Sequence, residues 1–305
     1  MSLPPPIFLI APPRSFTTLV SGMLGVHPDV YGVPELTIFY RETLSELWTL
    51  GRADTSSDTR MRHGILRAVA EIFFGEQTDA AIAGAERWCA RRQDWHVRDV
   101  FTELRAAVAP LRLLEKSPDY TLKPEAMLRF FESCPDCKII FLTRHPVGQC
   151  KSTLSINDGA YPFNCNSFAF ENGQAILDPQ IAWHDMNVNV LNFLETHVPK
   201  DQYLRVMGEA LLADPEGELK NLCRWLGIRD DEDAIEQMKH PERSPFANFG
   251  PISALFGNDP NFQRNPHFKK QRARTLPPLD GPLPWRKDGA TLYPEVRALA
   301  EEFGY

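Results

Sequence analysis

Three basic residues of this chain stand directly after short apolar runs. Arg14 follows Ile7–Ile10 in the stretch FLIAPPRSFTT, Lys116 follows Leu111–Glu115, and Arg144 follows Lys138–Thr143. If the runs are buried strands of one open sheet, all three cations reach the edge beyond the carboxyl ends of the strands, where such sheets bind ligands. Ser15, Thr17 and Thr18 add hydroxyls beside Arg14 at the start of a helix, whose free N–H groups and dipole suit an anion. Arginine adds a permanent charge and a planar fork of donors. Past Arg144, Pro146 suits the first turn of a helix, and Ser152, eight residues beyond Arg144, can turn back toward the sheet end. Each feature alone has a plainer reading: a surface arginine before a capped helix, a helical serine, or a Glu115–Lys116 salt bridge. Their coincidence at one edge points to a polyanionic ligand.

A transfer reaction at such an edge needs a proton acceptor. Glu35, in HPDVYGVPEL, follows the first helix by one short loop, and a carboxylate in a pocket can have its pKa moved toward the task. His240, opening HPERSPFANFGP, is the rival base. The plainer readings are a loop or capping glutamate and a histidine that only shapes its loop. The basic run Arg264, Lys269, Lys270 and Arg272 either closes over a phosphate or is a solvated loop. Cys134-Pro-Asp-Cys137 has redox spacing but no second Cys or His pair for a metal, and is read as a loop with two free thiols.

The elements that must hold these groups can be read in outline. Ile7–Ile10 predicts a buried strand and Thr17–Gly25 a helix that Gly25 stops. Leu111–Glu115, Lys138–Thr143 and Tyr203–Val206 predict further strands, with helices starting near Pro124 and spanning Pro215–Leu226. Strands alternating with helices imply an α/β fold, a parallel sheet covered on both faces. The 305 residues are read as a single domain, with 39–108 as a helical insertion and 240–285 as an irregular lid and nucleotide-binding loop. A net charge of −7 advertises no nucleic-acid partner. The short apolar run near the N-terminus suits neither a signal peptide nor a membrane span, so the chain is read as cytoplasmic. Nothing in the sequence specifies an oligomeric state.

With these residues in place, the chain resembles the sulfotransferases that use 3'-phosphoadenosine 5'-phosphosulfate (PAPS), and among them bacterial members acting on small molecules. Their 5'-phosphosulfate loop is similar to Pro13-Arg14-Ser15-Phe16-Thr17-Thr18, and their 3'-phosphate motif to Arg144-His145-Pro146 with Ser152. The stretches EKSP (Glu115–Pro118), HPERSPFANFGP (His240–Pro251), GNDPNF (Gly257–Phe262) and PLPWRKDG (Pro282–Gly289) extend the resemblance over nearly the whole chain. It implies a fold akin to nucleotide kinases and metal-free sulfuryl transfer from PAPS to a hydroxyl, leaving adenosine 3',5'-bisphosphate (PAP). It further implies a small-molecule acceptor with no nucleic-acid or membrane partner. By the same resemblance Arg14 to Thr18 cradle the 5' end, Arg144 and Ser152 hold the 3'-phosphate, and Arg14 and Lys116 stabilise developing charge. Glu35, spaced from Arg14 like the base of the tyrosylprotein sulfotransferases, takes the proton, with His240 as its rival. The chain has no G-x-x-x-x-G-K-[ST] loop, which separates it from a nucleotide or metabolite kinase. Two positions depart from the pattern: Phe16 stands where relatives have glycine, and Met207 where arginine is common. Phe16 implies either a loop of ordinary backbone conformation or a weakened nucleotide site, so a non-catalytic nucleotide-binding protein remains the other reading. Phe39, Tyr40, Trp48, Phe246 and Phe249 suggest an apolar acceptor pocket.

Overall fold

The computed structural model describes residues 3–49, 58–156, 165–171, 173–270 and 275–305. Five strands form one sheet: β1 (Ile7–Ile10), β2 (Val30–Gly32), β3 (Arg112–Glu115), β4 (Lys138–Thr143) and, after a small hairpin of β5 (Phe168–Glu171) and β6 (Gln174–Leu177), β7 (Tyr203–Met207). Their order is β2-β3-β1-β4-β7, every neighbour pairing is parallel, and helices flank the sheet. This is the α/β architecture implied by the alternating pattern. Successive side chains of a strand point to opposite faces. Phe8 and Ile10 therefore join one core with Ile139 and Phe141, while Ile7 and Leu9 join a second with Ile140 and Leu142. Both faces are covered, and so β1 and β4 read as unbroken apolar runs.

The first helix occupies Thr17–Gly25 and the later one Pro215–Leu226, as predicted. The stretch between β2 and β3 contains helices Leu44–Thr49, His63–Phe74, Asp79–Ala90 and Val97–Val108. Its aromatics serve the core more than a pocket. Phe39 is fully buried, edge-on to Phe101 and Phe8 with centroids 5.2 Å and 5.8 Å away. The expectation that it lines an acceptor pocket is corrected by that packing. The short strand β2, the β5–β6 hairpin and the helix Pro179–His197 were not anticipated.

Two contacts fix the chain around the sheet edge. Helix His63–Phe74 presents Gly64 to the backbone of Glu35 so closely that a Cβ there would stand 1.8 Å from the Glu35 carbonyl oxygen. One turn later, Arg67 is buried with every nitrogen used: Nε donates to Gln77, Nη1 to the Phe256 carbonyl and Nη2 to the Asn248 carbonyl. Burial lowers its pKa to about 10, which still leaves it charged at neutral pH. The helix thereby holds both the Glu35 strap and the segment leading to Asn258.

Gly64→Ala must displace Glu35 or the helix. Thermal unfolding should show a loss of about 1–3 kcal/mol, the usual range for an overpacked interior. An unchanged melting temperature would contradict the close approach.

Candidate active site

The loop from β1 to the first helix is left-handed at two non-glycine residues, Arg14 (φ 69°) and Phe16 (φ 63°). Of the two outcomes that Phe16 left open, an ordinary loop conformation or a weakened nucleotide site, the first is thus excluded. A side chain in this region costs roughly 1–2 kcal/mol, and side-chain contacts offset it here. The Phe16 ring lies under the Arg144 guanidinium, 4.1 Å from carbon to centroid, and fills the hollow left by Gly208. The helix that follows has no side-chain cap at Phe16, so its first N–H groups are not claimed by a capping side chain. A curled loop followed by an uncapped helix start concentrates donors for an anion.

The two arginines are built into one cluster. Arg14 Nε donates to Ser152 Oγ at 3.0 Å, and Nη1 makes an ion pair with Asp259. Arg144 Nη1 donates to the Arg14 carbonyl, and Gln149 Nε2 donates to the Pro13 carbonyl at 2.7 Å, so helix Pro146–Thr153 and the end of β4 grip the loop backbone. Trp183 Nε1 donates to the Arg144 carbonyl at 3.0 Å. Burial lowers the Arg144 pKa to about 10, leaving it charged at neutral pH. Its Nε is buried with no hydrogen-bond partner among the described residues. Ser15 is buried in the loop, and Thr17 at the first turn of the helix.

Lys116, at the end of β3, is fully buried and uses all three donors of its ammonium. Nζ donates to Thr18 Oγ1 at 2.9 Å, Glu35 Oε1 at 2.5 Å and Asn258 Oδ1 at 3.2 Å. Its ion-pair partner is therefore Glu35 and not the neighbouring Glu115. The Glu115 carboxylate accepts instead from Ser117 Oγ, the Leu36 N–H and Tyr120 Oη, and burial pushes its pKa up to about 7. Glu35 is held from behind, its N–H donating to the Gly257 carbonyl at 2.8 Å, and from ahead by the Thr37 N–H donating to Ser117 Oγ. Its side chain remains 28% exposed, and Oε2 has no hydrogen bond among the described residues. A narrow cleft nearby is lined by two partners of Lys116, Thr18 and Asn258, together with Ser21, Val33, Phe246 and Phe262. A wider surface cleft between Glu216 and Lys239 lies off the sheet edge and contains none of these residues.

Other expected residues make their side-chain contacts outside this cluster. His240 is held between Glu242 (2.8 Å) and Glu236 (3.4 Å), just past the C-terminus of helix Glu232–Met238. Arg264 donates to Asn261 on its own short helix, Lys270 pairs with Glu216, and Lys269 is exposed. Arg272 lies outside the described residues. Tyr40 donates to the Asp119 carbonyl, Trp48 is half-buried beneath Arg62, Phe246 is buried, and only Phe249 of the expected pocket aromatics is exposed. Met207 ends β7 beside Thr143 with its sulfur near Gly304. Cys134 and Cys137 are free and buried, and burial raises both thiols, Cys134 to about 11. No group of three or more metal-ligating side chains occurs among the described residues, and no helix of theirs is long and apolar enough to cross a membrane.

Asn258 and Asp259 were given no role from sequence, yet they cover Lys116 and Arg14. The usable signal was a polar Asn-Asp pair before Pro260 in a stretch without periodicity. Gln149 and Gly208 gave none, because their importance lies in what packs against them.

Residues 5–232 match the family described as the sulfotransferase family. Human heparan sulfate glucosamine 3-O-sulfotransferase 6 is 32% identical over 124 residues, covering 38% of this chain and 35% of the relative. The mouse 3-O-sulfotransferase 3B1 is 33% identical over 125 residues, covering 38% and 31%. The chain thus spans about a third of the length of these curated relatives. Among solved structures, the sulfotransferase domain of the curacin biosynthetic pathway superposes with a TM-score of 0.76 at 22% identity, covering 100% of this chain and 99% of that one. The sulfotransferase domain of the Synechococcus PCC 7002 olefin synthase gives 0.72 at 25% identity, covering 99% and 94%. A match over most of the chain, on a sheet whose edge gathers Arg14, Lys116 and Arg144, establishes that this protein belongs to the sulfotransferase family of enzymes.

Proposed function

We propose that the protein transfers a sulfuryl group from PAPS to a hydroxyl of a small metabolite, releasing PAP. The observation that carries this reading is the pairing of Glu35 with Lys116, beside a loop whose Arg14 is tied to Arg144 and Ser152. In the proposed step the acceptor oxygen attacks sulfur in line with the bond to the 5'-phosphate oxygen. That bond breaks as the new S–O bond forms, and the hydroxyl proton passes to Glu35. Lys116 and Arg14, with the N–H groups of the loop, stabilise charge on the leaving and non-bridging oxygens. Arg144, with Ser152 beside it, holds the 3'-phosphate, so binding energy far from sulfur positions the reacting group. The donor's anionic groups replace Asp259 as the partner of Arg14, a carboxylate being a fair stand-in for a sulfonate or phosphate.

Glu35 is favoured over His240 as base because it touches Lys116, whereas His240 sits between two carboxylates of its own segment. Positive potential from the side chains supports a reaction that needs no metal. The olefin synthase neighbour, similar over nearly the whole chain, supports a place in small-molecule biosynthesis, and the reading takes the enzyme as cytoplasmic.

Two experiments test the assignment. Calorimetry with PAP and with adenosine 5'-monophosphate should show Arg144→Ala weakening only the bisphosphate, by roughly 2–4 kcal/mol for a charge-assisted pair in a desolvated site. Equal weakening of both nucleotides would refute the 3'-phosphate role. In the second, Glu35→Gln keeps an oxygen for Lys116 but loses the proton acceptor. Turnover should fall by about two to four orders of magnitude with PAP affinity nearly unchanged. His240→Ala should retain most of kcat, and the reverse pattern would move the base role to His240.

A further inference from the structure

The donor loop contains a residue whose backbone is strained and whose side chain does no polar chemistry. Phe16 adopts φ 63°, ψ 11°, where a glycine would sit without penalty. Strain of this kind persists only where the surroundings over-determine it, and it gathers at ligand sites. Here the surroundings are specific. The ring faces the Arg144 guanidinium at 4.1 Å, and on its other side the chain has Gly208, where a Cβ would stand 2.6 Å from Phe16 Cδ2. Gly208 therefore keeps open the space that the ring occupies.

The same contact decides how Arg144 is presented. One in-plane donor, Nη1, is committed to the Arg14 carbonyl, while one face of the guanidinium lies on the Phe16 ring. An in-plane bond and a face contact together fix the orientation of a planar group. The edge bearing Nε keeps its donor without a partner among the described residues. An arginine pinned in this way holds its charge in a fixed orientation at the sheet edge, as pairing with an anion requires.

We propose that Phe16 is a positioning residue that orients Arg144 and so sets the preference of the site for a nucleotide carrying a 3'-phosphate. This inference rests on the reading of Arg144 as the 3'-phosphate ligand. It also explains why a phenylalanine is tolerated where glycine would relieve the backbone: the aromatic face supplies what a flexible loop would lose.

The test is the ratio of affinities for PAP and adenosine 5'-monophosphate, measured by calorimetry on the full chain. Phe16→Leu keeps bulk and removes the aromatic face, and Phe16→Gly removes both while relieving the backbone. Both should lower the ratio about 5- to 30-fold, the range of a desolvated cation–π contact, and taking the ratio cancels any change in the 5' cradle that both nucleotides share. Phe16→Tyr should restore the wild-type ratio. In the Arg144→Ala background, Phe16→Leu should have no further effect. Should Arg144→Ala lower the ratio while Phe16→Leu and Phe16→Gly leave it at the wild-type value, Phe16 is only a packing residue and the inference fails. Should Arg144→Ala itself leave the ratio unchanged, the 3'-phosphate reading fails instead. A melting temperature for each variant separates loss of fold from loss of selectivity.

Discussion

The site depends on one buried ammonium. Lys116 has no exposed side-chain surface, and a buried charge is tolerable only when paired and hydrogen-bonded. Its three partners come from three places in the chain: Thr18 from the first helix, Glu35 from the segment after β2, and Asn258 from the C-terminal third. Satisfying that one group therefore draws the donor loop, the carboxylate and the covering segment to the end of β3. Breaking a buried pair leaves an uncompensated charge, a large penalty. Lys116 thus organises this edge structurally, and in the proposed reaction it also supplies charge.

Around it the protein stores orientation in advance. Arg14 and Phe16 hold strained backbone, Arg67 fixes the segment before Asn258 through two carbonyls, and Gly64 lets a helix press on Glu35. Donors fixed before the substrate arrives need no reorganisation when charge develops, which is the main source of electrostatic catalysis. The Asp259–Arg14 ion pair shows the same edge already accommodating an anion.

Much of this was legible in the residues. The strands carrying Arg14, Lys116 and Arg144 are doubly buried, so their apolar runs stand out, and β4 spans Lys138–Thr143 as read. Glu35 stood out through its distance from Arg14, and its contact with Lys116 did not, because every helix between β2 and β3 lies in the intervening chain. Lys116 followed by one residue a glutamate that was its obvious partner, yet Glu115 points to the other side of the strand end and bonds Ser117. The conformation of Phe16 was left open because propensity alone disfavours its φ, while the compensating ring contacts lie with Arg144 and Gly208, far along the chain. The basic residues from Arg264 to Lys270 suggested a phosphate clamp by their charge, and their local partners were not legible in the sequence. Arg264 and Lys270 are engaged locally or with Glu216.

The central claim is that this edge performs sulfuryl transfer from PAPS. The most direct measurement incubates the protein with PAPS and a pool of alcohols and phenols in excess chelator, following PAP release and acceptor mass together. Stoichiometric PAP and an acceptor heavier by one sulfuryl group, with neither produced by the Lys116→Ala variant, is the predicted result. Transfer only from ATP with magnesium, with PAPS left intact, would contradict the account and make the edge a phosphoryl-transfer site.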